Sequence, residues 1–103
     1  MFTTGQVVTV FRSRLRDDVH SEYAETAALM SSLATAMPGY VEHKAFTADD
    51  GERVTLVTFT DRESHDAWRT HADHRAAQRR GREALYATYS LQVADVTGVS
   101  SHP

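Results

Sequence analysis

Cysteine is absent from the 103 residues, which excludes a disulfide framework, a thiolate nucleophile and a thiolate metal site. Asparagine is absent as well. No run of about 18 apolar residues is present, so no segment reads as a membrane-spanning helix. Glycine-rich phosphate loops are missing, and no serine stands in a Gly-x-Ser-x-Gly elbow, which argues against nucleotide cofactors and elbow-type acyl transfer. The opening Met-Phe-Thr-Thr-Gly-Gln has neither the basic nor the apolar region of a secretory signal, so the cytoplasm is the expected address. A net charge of −3 removes general attraction to nucleic acid. The cluster Arg79, Arg80 and Arg82 is diluted by Asp73, Glu63 and Glu83 and reads as a mixed surface.

What is present suits one small domain, expected over residues 1–97, with a small polar tail over 98–103 that frays. Gln6 to Leu15 is β-branched and aromatic and reads as a strand. Asp17 or Asp18 is placed to cap a helix whose apolar stripe is Val19, Tyr23, Ala27, Met30, Leu33, Ala34 and Met37, ending at Pro38-Gly39. Tyr40 to Thr47 and Val54 to Phe59 form a hairpin around Asp49-Asp50-Gly51. Thr60-Asp61-Arg62-Glu63 reads as a capping box opening a short helix that carries Trp68. Asp73 is expected to restart the helix after a break near His71-Ala72, and the second piece runs to about Leu85. Tyr86 to Val96 is the last strand, with Tyr89, Leu91 and Val93 on one face.

This order predicts an α+β fold of ferredoxin-like, split βαβ type: a four-stranded antiparallel sheet with helices on one face. The strands carry apolar residues at both parities, Val7, Phe11 and Leu15 against Val8 and Val10. A monomer would leave one of those faces bare, so a homodimer closing sheet on sheet is expected.

Several segments carry a family likeness: Val10-Phe11-Arg12-Ser13-Arg14-Leu15, Met37-Pro38-Gly39-Tyr40, Asp50-Gly51, and above all the run from Ala67 to Arg82 followed by Leu85-Tyr86 and Tyr89. On these the chain resembles the antibiotic biosynthesis monooxygenase domain family of the dimeric α+β barrel superfamily. The resemblance implies a small pocket between sheet and helices and, in some members, oxidation of anthrone- or quinol-like aromatics by molecular oxygen without metal or flavin. Other members bind and degrade heme, and others isomerise, cyclise or have no known activity. It also implies a place in secondary metabolism. Fold alone does not choose among these activities.

Trp68 stands where the resemblance implies a pocket tryptophan, and an indole offers a broad face plus one N–H donor. A core tryptophan on an amphipathic helix is the alternative. Quinol-oxidising members carry an asparagine four residues earlier, where Ser64 stands, and heme degraders a histidine ligand ten residues later, where Gln78 stands. Glutamine is a poor iron ligand, so no metal and no cofactor is expected. His43 and His71 are the candidate bases, and Arg12 the candidate donor to a phenolate or enolate oxygen, with a solvent-reaching side chain as its alternative. Trp68, His74, Gln78, Tyr86 and Phe11 are expected to contact the substrate, a small aromatic or apolar metabolite. The expected activity is a cofactor-independent monooxygenase on a hydroxylated aromatic, with a non-catalytic small-molecule-binding domain and a heme-binding relative as alternatives.

Overall fold

The computed structural model describes residues 2–102. Its elements, in chain order, are strand β1 (Val7–Leu15), helix α1 (His20–Ala36), strands β2 (Tyr40–Thr47) and β3 (Arg53–Phe59), helices α2 (Arg62–Thr70) and α3 (Ala72–Arg80), a wide π-helical turn (Gly81–Leu85) and strand β4 (Tyr86–Asp95). The four strands form one antiparallel sheet in the order β2-β3-β1-β4, so the α+β ferredoxin-like arrangement read from the sequence holds. The helices cover one face, α1 against β2 and α2 against β3.

The registers decide which parity faces the helices. Thr9 lies opposite Val57 on β3 and Val93 on β4, and Phe11 lies opposite Thr55 and Leu91. These residues form the inner face. Val8, Val10 and Arg12 alternate with them and take the outer face with Val54 and Leu56. At one end of the inner face Ala34, Val57, Phe59 and Trp68 pack into the core, with Met37 and Tyr40 against them. Phe59 is fully buried, and its truncation to alanine would cost about 3–5 kcal/mol.

Three expected caps are corrected. Neither Asp17 nor Asp18 caps α1: Val19 is the N-cap residue and no side-chain bond is made there. Asp18 takes a left-handed conformation, φ 63°, which turns the chain out of β1. On α2 the cap is Asp61, whose carboxylate accepts from the Ser64 N–H at 2.8 Å. The Thr60 N–H, two residues before the helix, donates to the Gly39 carbonyl at 2.8 Å, so it is not free for the reciprocal bond to Glu63 that a capping box needs. On α3 the cap is His71, whose Nδ1 accepts from the Asp73 N–H at 3.2 Å.

The chain stops where turn chemistry demands it. Gly39, at φ 83°, follows the end of α1, and Gly51, at φ 89°, closes the β2–β3 hairpin. The second helical piece does reach Leu85, but its last five residues widen into the π-helical turn, in which the Tyr86 N–H donates to the Gly81 carbonyl. Pro103, at the end of the expected tail, lies outside the described residues.

Candidate functional site

A cavity of about 380 Å³ opens between the inner face of the sheet and the three helices. That is the size of a small-molecule site. Its floor is Thr9, Phe11, Val57 and Leu91, whose side chains the alternation of β1, β3 and β4 sends toward the helices.

Trp68 forms one wall. The α2 stripe buries His65 and Trp68, three residues apart, and leaves Trp68 only 4% exposed. Its indole stacks on Phe59 with ring centroids 5.2 Å apart and 28° between planes, and meets the His74 imidazole at 4.3 Å. The Trp68 Nε1–H is buried without an acceptor, and so is the Nε–H of the neighbouring Arg69, which also lines the cavity. An unmade hydrogen bond at such a donor costs about 1–3 kcal/mol. Both side chains line the cavity while the two nitrogens themselves are shut off from it, so a ligand oxygen meets these donors only if the side chains turn.

His74 is 2% exposed and donates Nδ1–H to the Arg69 carbonyl at 3.3 Å. Burial, and behind it the positive charge of Arg69, pulls its pKa down to about 4, against the opposing effect of the carbonyl. The ring is therefore neutral at pH 7, with Nε2 a lone-pair acceptor.

His43, on β2, also lines the cavity. Its Nδ1 is hydrogen-bonded to the Tyr40 hydroxyl at 2.6 Å and its Nε2 to the Ser31 hydroxyl of α1 at 3.0 Å. Two polar partners fix the ring plane, as a general base requires.

The far end is aromatic and cationic. Phe11 meets Tyr86 at 5.2 Å and Tyr89 at 6.0 Å. Arg53 lies over the Tyr23 ring at 4.9 Å and donates Nε–H to its hydroxyl at 3.1 Å. Burial pushes the Tyr86 phenol up to about 12, so it stays protonated and can donate.

The cavity thus gathers His43, Trp68, His74, Gln78, Tyr86 and Phe11 from the residues marked in the sequence. Two do not join them. Arg12 stands on the opposite face of the sheet, paired with Glu52 at 2.6 Å, because β1 alternates and the inner parity is that of Thr9 and Phe11. His71 is exposed and occupied in capping α3. Sequence reasoning missed Thr9, Ser31, Arg53 and Arg69 on the cavity lining. It also missed His65, which the spacing of three to Trp68 on α2 could have flagged. Among the described residues no group of three or more His, Asp or Glu is placed to hold a metal ion.

Residues 6–80 match the antibiotic biosynthesis monooxygenase family. The chain belongs to that family. A relative in Bacillus subtilis (strain 168), the uncharacterized protein YqjZ, is 32% identical over 87 residues, covering 84% of this chain and 76% of YqjZ. Among solved structures, Rv0793 from Mycobacterium tuberculosis superposes with a TM-score of 0.80 at 20% identity, over 93% of this chain and 99% of Rv0793. SnoaB, a cofactor-independent oxygenase from Streptomyces nogalater, superposes with a TM-score of 0.78 at 18% identity, over 96% and 98% of the two chains. At these identities the likeness is one of fold. Ser64 packs against Gly39 and lies outside the cavity lining. Among the described residues no helix is long and apolar enough to cross a membrane.

Proposed function

We propose that this protein is a cofactor-independent monooxygenase that oxidises a small hydroxylated aromatic, of anthrone or quinol type, with molecular oxygen. The observation that carries the reading is the pair of buried, unsatisfied donors, Trp68 Nε1–H and Arg69 Nε–H, on the wall of an aromatic-lined cavity. A planar substrate laid against Trp68 would give its phenolate or enolate oxygen to those donors once the two side chains turn toward the cavity. They would stabilise charge that grows as the substrate loses a proton.

In this scheme the phenolic proton passes to His43 Nε2 by way of the Ser31 hydroxyl, which lines the cavity and gives up its own proton as it takes the substrate's, while Tyr40 holds Nδ1. The role expected of Arg12 passes to Arg69, which is on the cavity wall. In an anthrone the reacting CH₂ carbon becomes a carbonyl: one atom of oxygen enters the product, and the other leaves as water with the two hydrogens. Substrate acidity supplies much of the chemistry, and the protein orients and desolvates the carbanion. SnoaB, a structural neighbour and cofactor-independent oxygenase, supports the same reaction class.

We propose further that the protein works as a homodimer through the outer face of the sheet, where Val8, Val10, Val54 and Leu56 are left without helices above them. Oxygen uptake by the EDTA-treated protein with a panel of anthrones and quinols tests the activity. Uptake above the uncatalysed rate supports an oxygenase. Quenching of Trp68 fluorescence by panel compounds without uptake favours a binding domain instead.

A further inference from the structure

A second hydroxyl–imidazole system meets the cavity, and the scheme above leaves it unused. Thr9 Oγ1, on the cavity floor, lies 2.6 Å from His65 Nε2. His65 Nδ1 lies 3.0 Å from Asp66 Oδ1. His65 has no exposure, whereas the Asp66 side chain is 57% exposed. The imidazole is walled by Phe59 at 6.2 Å and Trp68 at 5.9 Å, so Thr9 and Asp66 are its polar outlets.

The polarity of this chain follows from its carboxylate end. A carboxylate only accepts hydrogen bonds, so Asp66 holds the ring proton on Nδ1. Nε2 is then the lone-pair nitrogen and accepts from the Thr9 hydroxyl. Thr9 lies mid-strand between Val57 and Val93, where neighbouring backbone donors serve the sheet. No backbone oxyanion hole is available beside it, which favours proton transfer over nucleophilic attack.

We propose that Thr9, His65 and Asp66 form a proton relay that carries the carbon-bound proton of the substrate from the cavity to bulk water. As Thr9 Oγ1 accepts the proton from carbon, its own proton passes to His65 Nε2, and the Nδ1 proton passes to Asp66. The electron pair of the broken C–H bond stays on the substrate as its carbanion. Asp66 then releases the proton to solvent. Thr9 is the catalytic residue of this step, and His65 and Asp66 position and discharge it. The identity of the proton donor rests on the oxygenase reading.

Deuterium exchange into the CH₂ group of an anthrone, followed by NMR in anaerobic D₂O, isolates this step from the reaction with oxygen. Thr9→Val should lower protein-catalysed exchange by about 100-fold or more, the usual scale of general acid–base catalysis. Thr9→Ser, which keeps the hydroxyl, should stay within about tenfold of wild type. Both variants should bind an unreactive anthraquinone, read by Trp68 quenching, as wild type does. The ¹⁵N shifts of His65 should show Nδ1 protonated and Nε2 bare.

Exchange in Thr9→Val at the wild-type rate, or a His65 proton on Nε2, overturns the relay. A wild-type protein that exchanges deuterium through Thr9 but consumes no oxygen upholds the relay and sinks the oxygenase reading. Oxygen uptake undiminished in Thr9→Val does the reverse. A wild-type protein that does neither overturns both.

Discussion

The Trp68 indole and the His74 imidazole meet at 4.3 Å, with 48° between their planes, although they stand six positions apart in the chain. On an unbroken helix that spacing would point the two side chains well apart, at about 240° around the axis. The break at His71, where α2 ends and α3 begins, folds them onto one cavity wall. The break is therefore part of the site.

The buried His74 makes stability depend on pH. The folded protein keeps this ring neutral down to about pH 4, whereas the unfolded chain protonates it near the ordinary value of 6.5. The unfolded state then binds more protons between those values, so His74 contributes stability above about pH 6.5 that is lost as pH falls toward 4. The full loss should be on the order of 3 kcal/mol, of which about 2 kcal/mol falls above pH 5. Urea unfolding at pH 7.5 and pH 5 should show it in wild type and show less of it in His74→Gln.

Trp68 serves packing and donation together, and two substitutions separate them. Trp68→Phe keeps a ring against Phe59 but loses the Nε1–H, so turnover should fall about 10- to 100-fold with the fold intact. Trp68→Ala should cost about 3–5 kcal/mol of stability as well. Paired oxygen-uptake and thermal-unfolding measurements check both.

Gly81 is buried with a right-handed backbone, φ −58°, so alanine there meets no conformational penalty. Its methyl group would, however, lie 2.5 Å from Tyr86 Cε2. Gly81→Ala should therefore push the Tyr86 ring off the cavity wall and cost about 1–3 kcal/mol. A weaker anthraquinone affinity in fluorescence titration, alongside the lower Tm, is the expected pair of results.

Leu56 lies on the outer face of β3, next to Val10 in the sheet. An arginine there would place a charge at the proposed dimer contact without entering the cavity. Leu56→Arg should run as a monomer in sedimentation, whereas wild type should run as a dimer.

Element order, the hairpin and the helix break were legible because each has a local cause: β-branched runs, Asp50-Gly51, and a helical period interrupted at His71-Ala72. Arg12 shows where that reading stops. Both parities of β1 contain valines, so alternation divides the strand into two sets without saying which set meets the helices. The answer lies in long-range register, Thr9 against Val57, which no local pattern encodes. Caps failed for a similar reason: Thr60, Asp61 and Ser64 are all good capping residues, and only the folded chain shows the Thr60 N–H taken by the Gly39 carbonyl and the Asp61 carboxylate taking the Ser64 N–H. Within the site, Trp68, His74 and Gln78 were marked by their place in a dense run. Thr9 and His65 became visible only when β1 and α2 were brought together.

Turnover under ¹⁸O₂ tests the central claim most directly, using EDTA-treated protein, an anthrone substrate and mass spectrometry of the product. Turnover above the uncatalysed rate is expected, with one ¹⁸O atom in the new carbonyl and the other recovered as water. No catalysed product, or a carbonyl oxygen drawn from solvent, would contradict it.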